Sequence, residues 1–531
     1  MLGIERRAWG LAIASAILQV VIFPLANLYP LSWIAVAPLL VALLQARRPE
    51  TLQLEGSVKL LPAPPIQGFL LGYVCGILWY GGSCYWVYST MKQYGGISGP
   101  GAAGLLVLFC LYLALYHGLF GLMIGAVAKL SLRAALIAAP FIWVAAELAR
   151  TRISGFPWDL LGIAQADNVP LAGIARTTGV YGISLEIMVV NVAFAAAFVV
   201  HRKRRNSLLI AAAAAAFVLQ IARWIPIANL PADHSAVLVQ ENIPVLDNSD
   251  WTQQYYSETL TELSKLSVNL PNGERLQRKP DLIVWPESPA PFYSSDPSFR
   301  NTLSDIARSS GSWVVAGNIG LRTPGGALAA SAEVFNAAAL INSDGDWVSE
   351  YDKLHLVPFG EYVPFKQWLA FAGGLTKEVG DFSRGVSRAP LQAGDKKVGV
   401  FICYESIFPD EVRQFVKNGA QVFVNISNDG WYGDSGAYAQ HLKQARMRAI
   451  ENDRWLLRDT NTGVTASIDP YGRVVASVPR KVRTALVAPY SLIGETTFYT
   501  RHGDWLAYAC AIISIGAILV ALTPVKGKIK V

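Results

Sequence analysis

Residues 398–405 read Val-Gly-Val-Phe-Ile-Cys-Tyr-Glu, and this stretch determines the architecture expected for the second half of the chain. Its first five residues are apolar without polar alternation, which predicts a strand covered on both faces. We expect a helix to begin near Ser406, so that Cys403 lies close to a helix N-terminus, where the partial positive charge favours a thiolate. Cys403 is therefore a candidate nucleophile; the alternative is a buried, unreactive cysteine.

Similar apolar segments lie on both sides of this stretch and alternate with helical patterns. Strands that are apolar on both faces indicate sheets that are covered by helices, and the alternation indicates an α/β domain. We therefore predict one α/β domain over residues 226–500. The candidate strands are 236–240, 282–285, 313–317, 336–341, 398–403, 422–426, 455–459, 464–468 and 485–488, and the candidate helices are 251–268, 297–310, 406–418 and 437–452.

The rest of the chain is far more apolar. Of the 531 residues, 53% are hydrophobic and 16% are charged, whereas a soluble protein carries about 25% charged residues. This composition excludes an ordinary soluble globule, a disordered chain and a disulfide-rich scaffold. Because about 20 apolar residues span a bilayer, we predict a multi-pass α-helical membrane domain with eight spans, at 8–25, 31–46, 66–89, 102–128, 134–150, 178–201, 207–224 and 504–523.

The distribution of Lys and Arg on the loops predicts how these spans are oriented. One set of alternate segments, which includes both termini, holds 14 of these residues, and the opposite set holds 4. Positive residues concentrate on cytoplasmic loops, so both termini are expected in the cytoplasm. The predicted organisation is spans one to seven in residues 1–225, an extracytoplasmic domain in 226–500, and the eighth span with a cytoplasmic tail in 501–531. The net charge of +7 then reflects topology, and no nucleic-acid partner is expected.

Two further segments carry side chains that could act together with Cys403. The candidate strand 282–285 is followed within two residues by Glu287, and the ends of strands in α/β folds gather at one edge, where sites form. A Glu in a partly desolvated pocket has a raised pKa and can take a proton from a thiol; the alternative is a solvated loop residue. Lys353 and Glu361 flank an apolar turn and could supply a cation for an oxyanion and a second carboxylate.

The positions of the cysteines and histidines argue against a disulfide at Cys403 and against a metal site. Four of the five Cys lie in proposed spans, so Cys403 has no neighbour for a disulfide in the outer domain. An unpaired thiol is a liability in an oxidising compartment unless it has a function. The six His are scattered without metal-binding spacing, and His355, between two Leu residues, is interpreted as structural. Neither a metal nor another cofactor is expected.

In chain order the candidate residues are Glu, Lys and Cys, and longer strings around them make the pattern specific. These strings are WPES (285–288), YDKLHLVPFGEYVPF (351–365), CYES (403–406) and NISNDGWYGDSGAYAQHLKQARMRAIENDRWLLRDTNTG (425–463). They resemble the nitrilase (carbon–nitrogen hydrolase) superfamily, which implies an αββα sandwich with a Glu–Lys–Cys triad. Together with the spans, the chain resembles the apolipoprotein N-acyltransferase family over nearly its whole length, including YWVYSTMKQYGG (85–96) and GFPWDLLG (155–162).

The resemblance implies a role for individual residues of this sequence. Cys403 is the implied nucleophile, Glu287 the general base and Lys353 the cation that stabilises an oxyanion. The residues implied to support the active site are Glu361, Tyr404 and Glu405.

Three aromatic residues are weaker candidates for substrate binding. Trp251 resembles a family Trp on a mobile arm above the site; the alternative is a packing residue of the helix that follows. Phe156 and Trp158, between the fifth and sixth spans, are candidates for an apolar mouth, or alternatively for an interfacial aromatic belt. Glu147 and Glu186 lie in or near spans, where carboxylates are often functional. Neither is assigned a catalytic role, because Glu147 could reach water from a helix end.

The implied reaction is N-acylation of the N-terminal diacylglyceryl-cysteine of apolipoproteins. A phospholipid is the implied acyl donor, and the acyl chain passes through a cysteine thioester in a ping-pong mechanism. The implied location is the bacterial inner membrane, with the catalytic domain in the periplasm, and a monomer is expected. A membrane-anchored amidase that hydrolyses small amides is one alternative, which eight spans count against. A transporter or sensor is another, which leaves the triad unexplained.

Overall fold

The chain folds into two compact units in this computed structural model. The helical unit comprises Met1–Tyr88, Ala103–Pro226 and His502–Val531, and the sheet unit comprises Ser89–Ala102 and Ile227–Arg501. Most of the loop 361–385 lies outside the residues that the structure describes. The described residues are 3–49, 60–199, 204–245, 250–269, 279–322, 332–362 and 382–523.

Long apolar helices dominate the helical unit. Within the described ranges, five helices are long and apolar enough to cross a membrane, and they coincide with the fourth to eighth predicted spans. The other α-helices in this part of the chain are Arg6–Val21, Ala37–Leu44, Pro65–Ser83, Trp86–Gln93, Val169–Ala172 and Ala175–Thr178. The five long helices are Gly99–Val127, Leu132–Ser154, Val180–Val199, Arg205–Trp224 and Trp505–Leu522.

The first three predicted spans differ from the structure in length or continuity. The first corresponds to Arg6–Val21, which has 16 residues, and the third to Pro65–Ser83, which has 19. The structure divides the second, 31–46, into a 3₁₀-helix at Tyr29–Trp33 and an α-helix at Ala37–Leu44. Each of these two short helices has a Pro in its first turn, where proline favours the start of a helix over its continuation.

The described part of the sheet unit contains two six-stranded sheets. Their orders are β12-β1-β2-β3-β4-β5 and β11-β10-β9-β8-β7-β6. The central pairs β1–β2, β2–β3, β7–β8 and β8–β9 are parallel, and the outer pairs are antiparallel. The strands are β1 His234–Gln240, β2 Leu282–Trp285, β3 Trp313–Arg322, β4 Glu333–Ile341, β5 Trp347–Asp352, β6 Leu391–Ala393, β7 Lys396–Ile402, β8 Val422–Ser427, β9 Leu456–Thr460, β10 Ala466–Ile468, β11 Val474–Ser477 and β12 Thr484–Tyr490.

Helices cover the outer face of each sheet. In β2, Leu282 and Val284 point into the core shared by the two sheets, whereas Ile283 and Trp285 pack against helices. This alternation places apolar residues on both faces of one strand and explains the continuous apolar runs in the sequence. The predicted α/β fold with two sheets between helices is therefore confirmed. The covering helices are Gln253–Val268 and Pro297–Ser310 on the first sheet and Pro409–Lys417 and Ala437–Asn452 on the second.

Two expectations about the strands were wrong in detail. Strand β7 ends at Ile402, a 3₁₀-helix occupies Cys403–Ile407, and the next α-helix begins at Pro409 rather than near Ser406. Cys403 is therefore not at the N-terminus of an α-helix. The sequence pattern also missed β5, β6 and β11, all of which are edge strands. Polar residues interrupt β5 and β6, and β11 is only four residues long, so none of the three has the long apolar run that identifies a central strand.

Candidate active site

Three charged side chains meet in one buried cluster of the sheet unit. Glu287 lies two residues beyond β2, and Lys353 directly follows β5. The Nζ atom of Lys353 lies 3.0 Å from Oε1 of Glu287 and 2.8 Å from Oε1 of Glu361. Lys353 is 1% exposed and neither carboxylate is more than 9% exposed, so water screens these ion pairs far less than a surface pair. The structure thus brings three of the predicted site residues together.

An amide and two backbone N–H groups complete the cluster. Nδ2 of Asn336 donates to Oε1 of Glu287 at 2.8 Å and to Oε1 of Glu361 at 2.6 Å. The backbone N–H of Asn428 donates to Oε2 of Glu287, and that of Val357 donates to Oε2 of Glu361, both at 2.7 Å. Every carboxylate oxygen of the cluster therefore has a donor, which is what buried charges require.

Glu287 and Lys353 favour their charged forms. Burial raises the pKa of Glu287, but the Lys353 ammonium, the Asn336 amide and the Asn428 N–H together lower it by more, so the net pKa is below the ordinary value. Burial lowers the pKa of Lys353, yet the negative charges of Glu287 and Glu361 place it well above its ordinary value. The expected raised pKa of Glu287 was therefore wrong, because its partner ammonium outweighs desolvation.

Cys403 occupies a strained position beside this cluster. Its φ angle is 49°, a left-handed conformation that costs a non-glycine residue about 1–2 kcal/mol. Burial raises the pKa of its thiol, the negative charge of Glu287 raises it further, and the positive charge of Lys353 offsets part of this effect. The net pKa is above the ordinary value, so the expected thiolate is not the resting form. The thiol therefore needs a base, and the charges of Glu287 and Lys353 both act on it.

Glu405 joins the end of β7 to the segment that carries Lys353. Its carboxylate accepts hydrogen bonds from the backbone N–H groups of Ile402 and Leu354, each at 2.6 Å. The hydroxyl of Tyr351 lies 2.9 Å from both of its oxygens. Burial raises the pKa of Glu405 to about 7, although these hydrogen bonds and the charge of Lys353 lower it. Glu405 thus links the two sheets next to the site.

Tyr404 and His355 meet the same aromatic side chain. The ring of Tyr404 packs edge-on against Phe408 at 5.2 Å, and the ring of His355 stacks on Phe408 at 4.1 Å. The backbone N–H of His355 donates to Glu405 at 3.2 Å. These contacts agree with the interpretation of His355 as structural.

Trp251 lies against aromatic residues of its own unit. Its ring is 4.9 Å from Tyr255 and 6.4 Å from Phe292. Of the two alternatives for Trp251, these contacts favour a packing residue at the start of the helix Gln253–Val268 over a residue on a mobile arm. Residues 246–249, which precede it, lie outside the described part of the chain.

The predicted residues of the helical unit are mostly buried. The rings of Phe156 and Trp158 stack at 6.0 Å, and Trp158 also contacts Trp86 at 5.0 Å. Trp158 is 1% exposed, which does not fit an interfacial belt. Oε1 of Glu147 accepts a hydrogen bond from the N–H of Leu161 at 2.7 Å, and the side chain is buried. The suggestion that Glu147 simply reaches water was therefore wrong.

Sequence reasoning missed Asn336 and the backbone N–H of Asn428. The available signal was a polar residue inside an apolar strand: Asn336 lies within β4, between Phe335 and Ala337. A partly buried amide in such a position needs polar partners, which here are the two carboxylates. Among the described residues, no group of three or more His, Cys, Asp or Glu side chains is placed to hold a metal ion.

Known protein families match both parts of the chain. Residues 15–193 match the family model of the apolipoprotein N-acyltransferase N-terminal domain, and residues 238–494 match that of carbon–nitrogen hydrolase. The apolipoprotein N-acyltransferase of Geobacter metallireducens is 34% identical over 99% of this chain and 96% of its own. The chain belongs to the apolipoprotein N-acyltransferase family.

Other relatives with the same name agree with this assignment. That of Methylococcus capsulatus is 35% identical over 84% of this chain and 86% of its own, and that of Nitrosomonas europaea is 33% identical over 86% and 88%. The amidase alternative is not favoured, because the family match includes the N-terminal helical region as well as the hydrolase region.

Two solved structures each match about half of the chain. A carbon–nitrogen hydrolase from Helicobacter pylori G27 is 18% identical and covers 48% of this chain and 88% of its own, with a TM-score of 0.34. A C145A mutant of the Nesterenkonia AN1 amidase from the nitrilase superfamily is 17% identical and covers 54% and 99%, with a TM-score of 0.38.

Proposed function

We propose that this chain transfers an acyl chain from a phospholipid to the N-terminal diacylglyceryl-cysteine of apolipoproteins. The names of its relatives support the reaction and the acceptor. The observation that carries the proposal is the buried Glu287–Lys353 ion pair, whose two charges act on the thiol of Cys403. A nucleophile, a base and a cation in one buried site are the requirements of acyl transfer through a covalent intermediate.

In the first half-reaction, the Cys403 sulfur attacks the ester carbonyl carbon of the phospholipid. Because the resting thiol is protonated, its proton passes to Glu287 as the C–S bond forms. Lys353 and backbone N–H groups stabilise the oxyanion of the tetrahedral intermediate. The ester C–O bond then breaks, the leaving lysophospholipid oxygen takes the proton from Glu287, and a thioester remains on Cys403.

In the second half-reaction, the free α-amino group of the diacylglyceryl-cysteine attacks the thioester carbonyl. Glu287 takes a proton from the attacking amine, the C–S bond breaks, and the leaving sulfur recovers a proton. The products are an amide and the resting thiol, so the cycle is ping-pong and consumes no cofactor. Three neighbours support the triad in this scheme: Glu361 holds Lys353, Glu405 fixes the segments on either side of the site, and Tyr404 follows the nucleophile.

The proposal includes a location. Both substrates are lipids, and moving an acyl chain out of the membrane costs about 0.8 kcal/mol for each exposed CH₂. A site at the outer surface of the bacterial inner membrane avoids that cost, with eight spans, cytoplasmic termini and a monomeric catalytic domain in the periplasm. An apolar entrance would also disfavour water, which competes with the amine for the thioester. Of the three aromatic candidates, Phe156 remains the proposed substrate contact, because Trp251 packs against Tyr255 and Phe292 and Trp158 is 1% exposed.

The acyl-enzyme provides the first test. Purified protein in detergent is incubated with a phospholipid that carries a radiolabelled acyl chain, and the label on the protein is followed after denaturation. We expect hydroxylamine-sensitive label on the wild type and on Cys510→Ala, a matched control for a buried cysteine far along the sequence. We expect none on Cys403→Ala. Equal labelling of Cys403→Ala contradicts the proposal.

Release of the label tests the acceptor. A peptide with an N-terminal diacylglyceryl-cysteine should remove the label and acquire an amide-linked acyl chain. The same peptide with an acetylated N-terminus should leave the label in place, because it offers no amine. Equal release by both peptides would indicate hydrolysis rather than transfer.

Orientation is tested separately with a membrane-impermeant thiol reagent on spheroplasts. Both test positions, Lys481 and Lys129, are exposed. We expect a cysteine introduced by Lys481→Cys to react and one introduced by Lys129→Cys to react only after the membrane is permeabilised. The reverse pattern contradicts a periplasmic catalytic domain.

A further inference from the structure

A closed set of buried hydrogen bonds surrounds the backbone of Cys403, and the mechanism above does not use it. It consists of side chains on β8, β9 and the helix Ala437–Asn452, together with Asp429 in the 3₁₀-helix that follows β8. Each of its side chains is at most 1% exposed. The members are Asn425, Asp429, His441 and Arg458.

One part of this set is hydrogen-bonded to β7, just before Cys403. Asn425 lies opposite Phe401 of β7 and opposite Arg458 of β9 in the parallel register. Its Nδ2 donates to the carbonyl oxygen of Phe401 at 3.0 Å, and its Oδ1 accepts a hydrogen bond from Arg458. The Nη2 atom of Arg458 also donates to Oδ2 of Asp429 at 2.9 Å. The strand register therefore aligns the first three groups, and Asp429 extends them toward the helix.

The other part of the set is hydrogen-bonded to the backbone of Cys403 itself. Nε2 of His441 lies 3.0 Å from the carbonyl oxygen of Cys403. A carbonyl oxygen can only accept, so Nε2 carries a proton and donates it. Nδ1 of the same ring lies 3.0 Å from Oδ1 of Asp429 and 3.1 Å from Nη2 of Arg458. Asp429 and Arg458 thus contact one ring nitrogen of His441, Nδ1. The other ring nitrogen, Nε2, donates to the carbonyl oxygen of Cys403.

The carboxylate of Asp429 has partners besides the imidazole. Arg458 already neutralises Asp429, and the Ser427 hydroxyl donates to the second carboxylate oxygen at 2.8 Å. Besides its contact with Asp429, His441 also contacts the carbonyl oxygen of Cys403. That residue has a φ angle of 49°, and such a conformation persists only where the surroundings over-determine it.

We propose that His441 is a positioning residue, itself held by Asp429 and Arg458. It fixes the peptide bond between Cys403 and Tyr404 and thereby orients the Cys403 sulfur for attack. Because this peptide is planar and trans, holding its carbonyl oxygen also fixes the direction of the Tyr404 N–H. Loss of the hydrogen bond would allow the backbone of Cys403 to relax toward an ordinary conformation. The sulfur would then move away from the line of attack, with little change in substrate binding.

The inference rests on the proposed function, and the same labelled phospholipid tests it in the full-length protein. We expect His441→Leu to slow acylation of Cys403 at least tenfold, the effect of losing one buried hydrogen bond. The lipid concentration for half-maximal rate should stay unchanged. His441→Gln, whose amide can donate to the same carbonyl, should stay within about threefold of wild type. Gln444→Leu is the matched control: Gln444 is a buried residue of the same helix whose amide has no hydrogen-bond partner among the described residues.

The outcomes separate this inference from the proposed function. If the wild type is labelled and a folded His441→Leu is acylated at the same rate, the positioning role is overturned. The proposed function then remains intact. Equal slowing of His441→Leu and Gln444→Leu, in step with a lower melting temperature, shows a packing effect and also overturns it. If His441→Leu does not fold, His441→Gln decides: a rate within threefold supports the role, and a tenfold loss at unchanged melting temperature contradicts it. An unlabelled wild type refutes both.

Discussion

The Nζ atom of Lys353 lies 3.0 Å from Oε1 of Glu287, so the proposed general base is ion-paired in the resting protein. The pair holds the pKa of Glu287 below its ordinary value despite burial. The base is therefore already deprotonated over the whole neutral range. The barrier to thiol activation lies in the raised pKa of Cys403 instead.

The first prediction concerns Glu287 and pH. Glu287→Gln removes the base and should lower the acylation rate about 100-fold or more. In the wild type the rate should fall on the acid side only below pH 4.5, the ordinary value for Glu, because the folded-state pKa is lower still. Single-turnover acylation measured from pH 4 to 8 checks both statements. An acid limb between pH 6 and 7 would indicate a raised pKa and contradict the ion-paired base.

The second prediction concerns the stability of the charge cluster. Lys353→Met leaves two buried carboxylates without their cation, which should destabilise the fold by about 3–5 kcal/mol. Adding Glu361→Gln to Lys353→Met should recover part of this loss, since one uncompensated charge is removed, but it should not restore acylation. Thermal unfolding in detergent measures the first effect and phospholipid labelling the second.

Lys396→Met is the control for a partly exposed lysine. Lys396 pairs with Asp281 and Asp395 at the surface, and such pairs contribute about 0–1 kcal/mol. Equal losses of melting temperature in Lys353→Met and Lys396→Met would show that the buried cluster has no special energetic role.

The sequence was sufficient to identify the central strands and the charged members of the site. Strand β2 was predicted at its observed bounds, because four consecutive apolar residues are followed by Pro and Glu. The same reasoning located Glu287 and Cys403, whereas Lys353 was a candidate because it flanks an apolar turn with Glu361. The structure places Lys353 3.0 Å from Glu287. Chemistry-bearing residue types at the ends of apolar strands are visible in a sequence, since strand ends share an edge in this class of fold.

The pKa values and the backbone geometry could not be predicted in the same way. Whether Glu287 has a raised or a lowered pKa depends on the distance to Lys353, which is 66 residues away in the chain. The left-handed φ angle of Cys403 occurs where His441, 38 residues away in the chain, contacts its carbonyl oxygen. These are tertiary distances, and no local pattern encodes them. The 3₁₀-helix at Cys403–Ile407 was missed for the same reason.

The third prediction concerns Asn336, which sequence reasoning missed. Its amide donates to both Glu287 and Glu361, so Asn336→Leu removes two charge-assisted hydrogen bonds while keeping a similar volume. We expect acylation to fall about tenfold or more, because hydrogen bonds to charged groups contribute about 1.5–3 kcal/mol each. Gln392→Leu, at an exposed edge strand, is the control and should leave the rate unchanged. A folded Asn336→Leu with the wild-type rate would show that Lys353 and the backbone N–H groups of Asn428 and Val357 hold the carboxylates without the amide.

The last prediction links Glu405 to the pH dependence of stability. Burial raises the pKa of Glu405 to about 7 from an ordinary value of 4.5. Between these two values the folded state binds more protons than the unfolded state, so this group makes the free energy of unfolding decrease as pH rises. The penalty is complete above pH 7 and absent below 4.5. Glu405→Gln has no proton to lose at this position and should not show this component.

Thermal unfolding of wild type and Glu405→Gln at pH 5 and pH 8 measures the effect. All other titrating groups are shared, so they cancel in the difference between the two proteins at each pH. The Gln amide cannot accept from all the donors around the carboxylate, so the variant should be less stable than wild type at pH 5. Its disadvantage should shrink at pH 8, where wild-type Glu405 is ionised in a buried site. A disadvantage that grows with pH would mean that the backbone N–H groups of Ile402 and Leu354 stabilise the carboxylate enough to outweigh its burial.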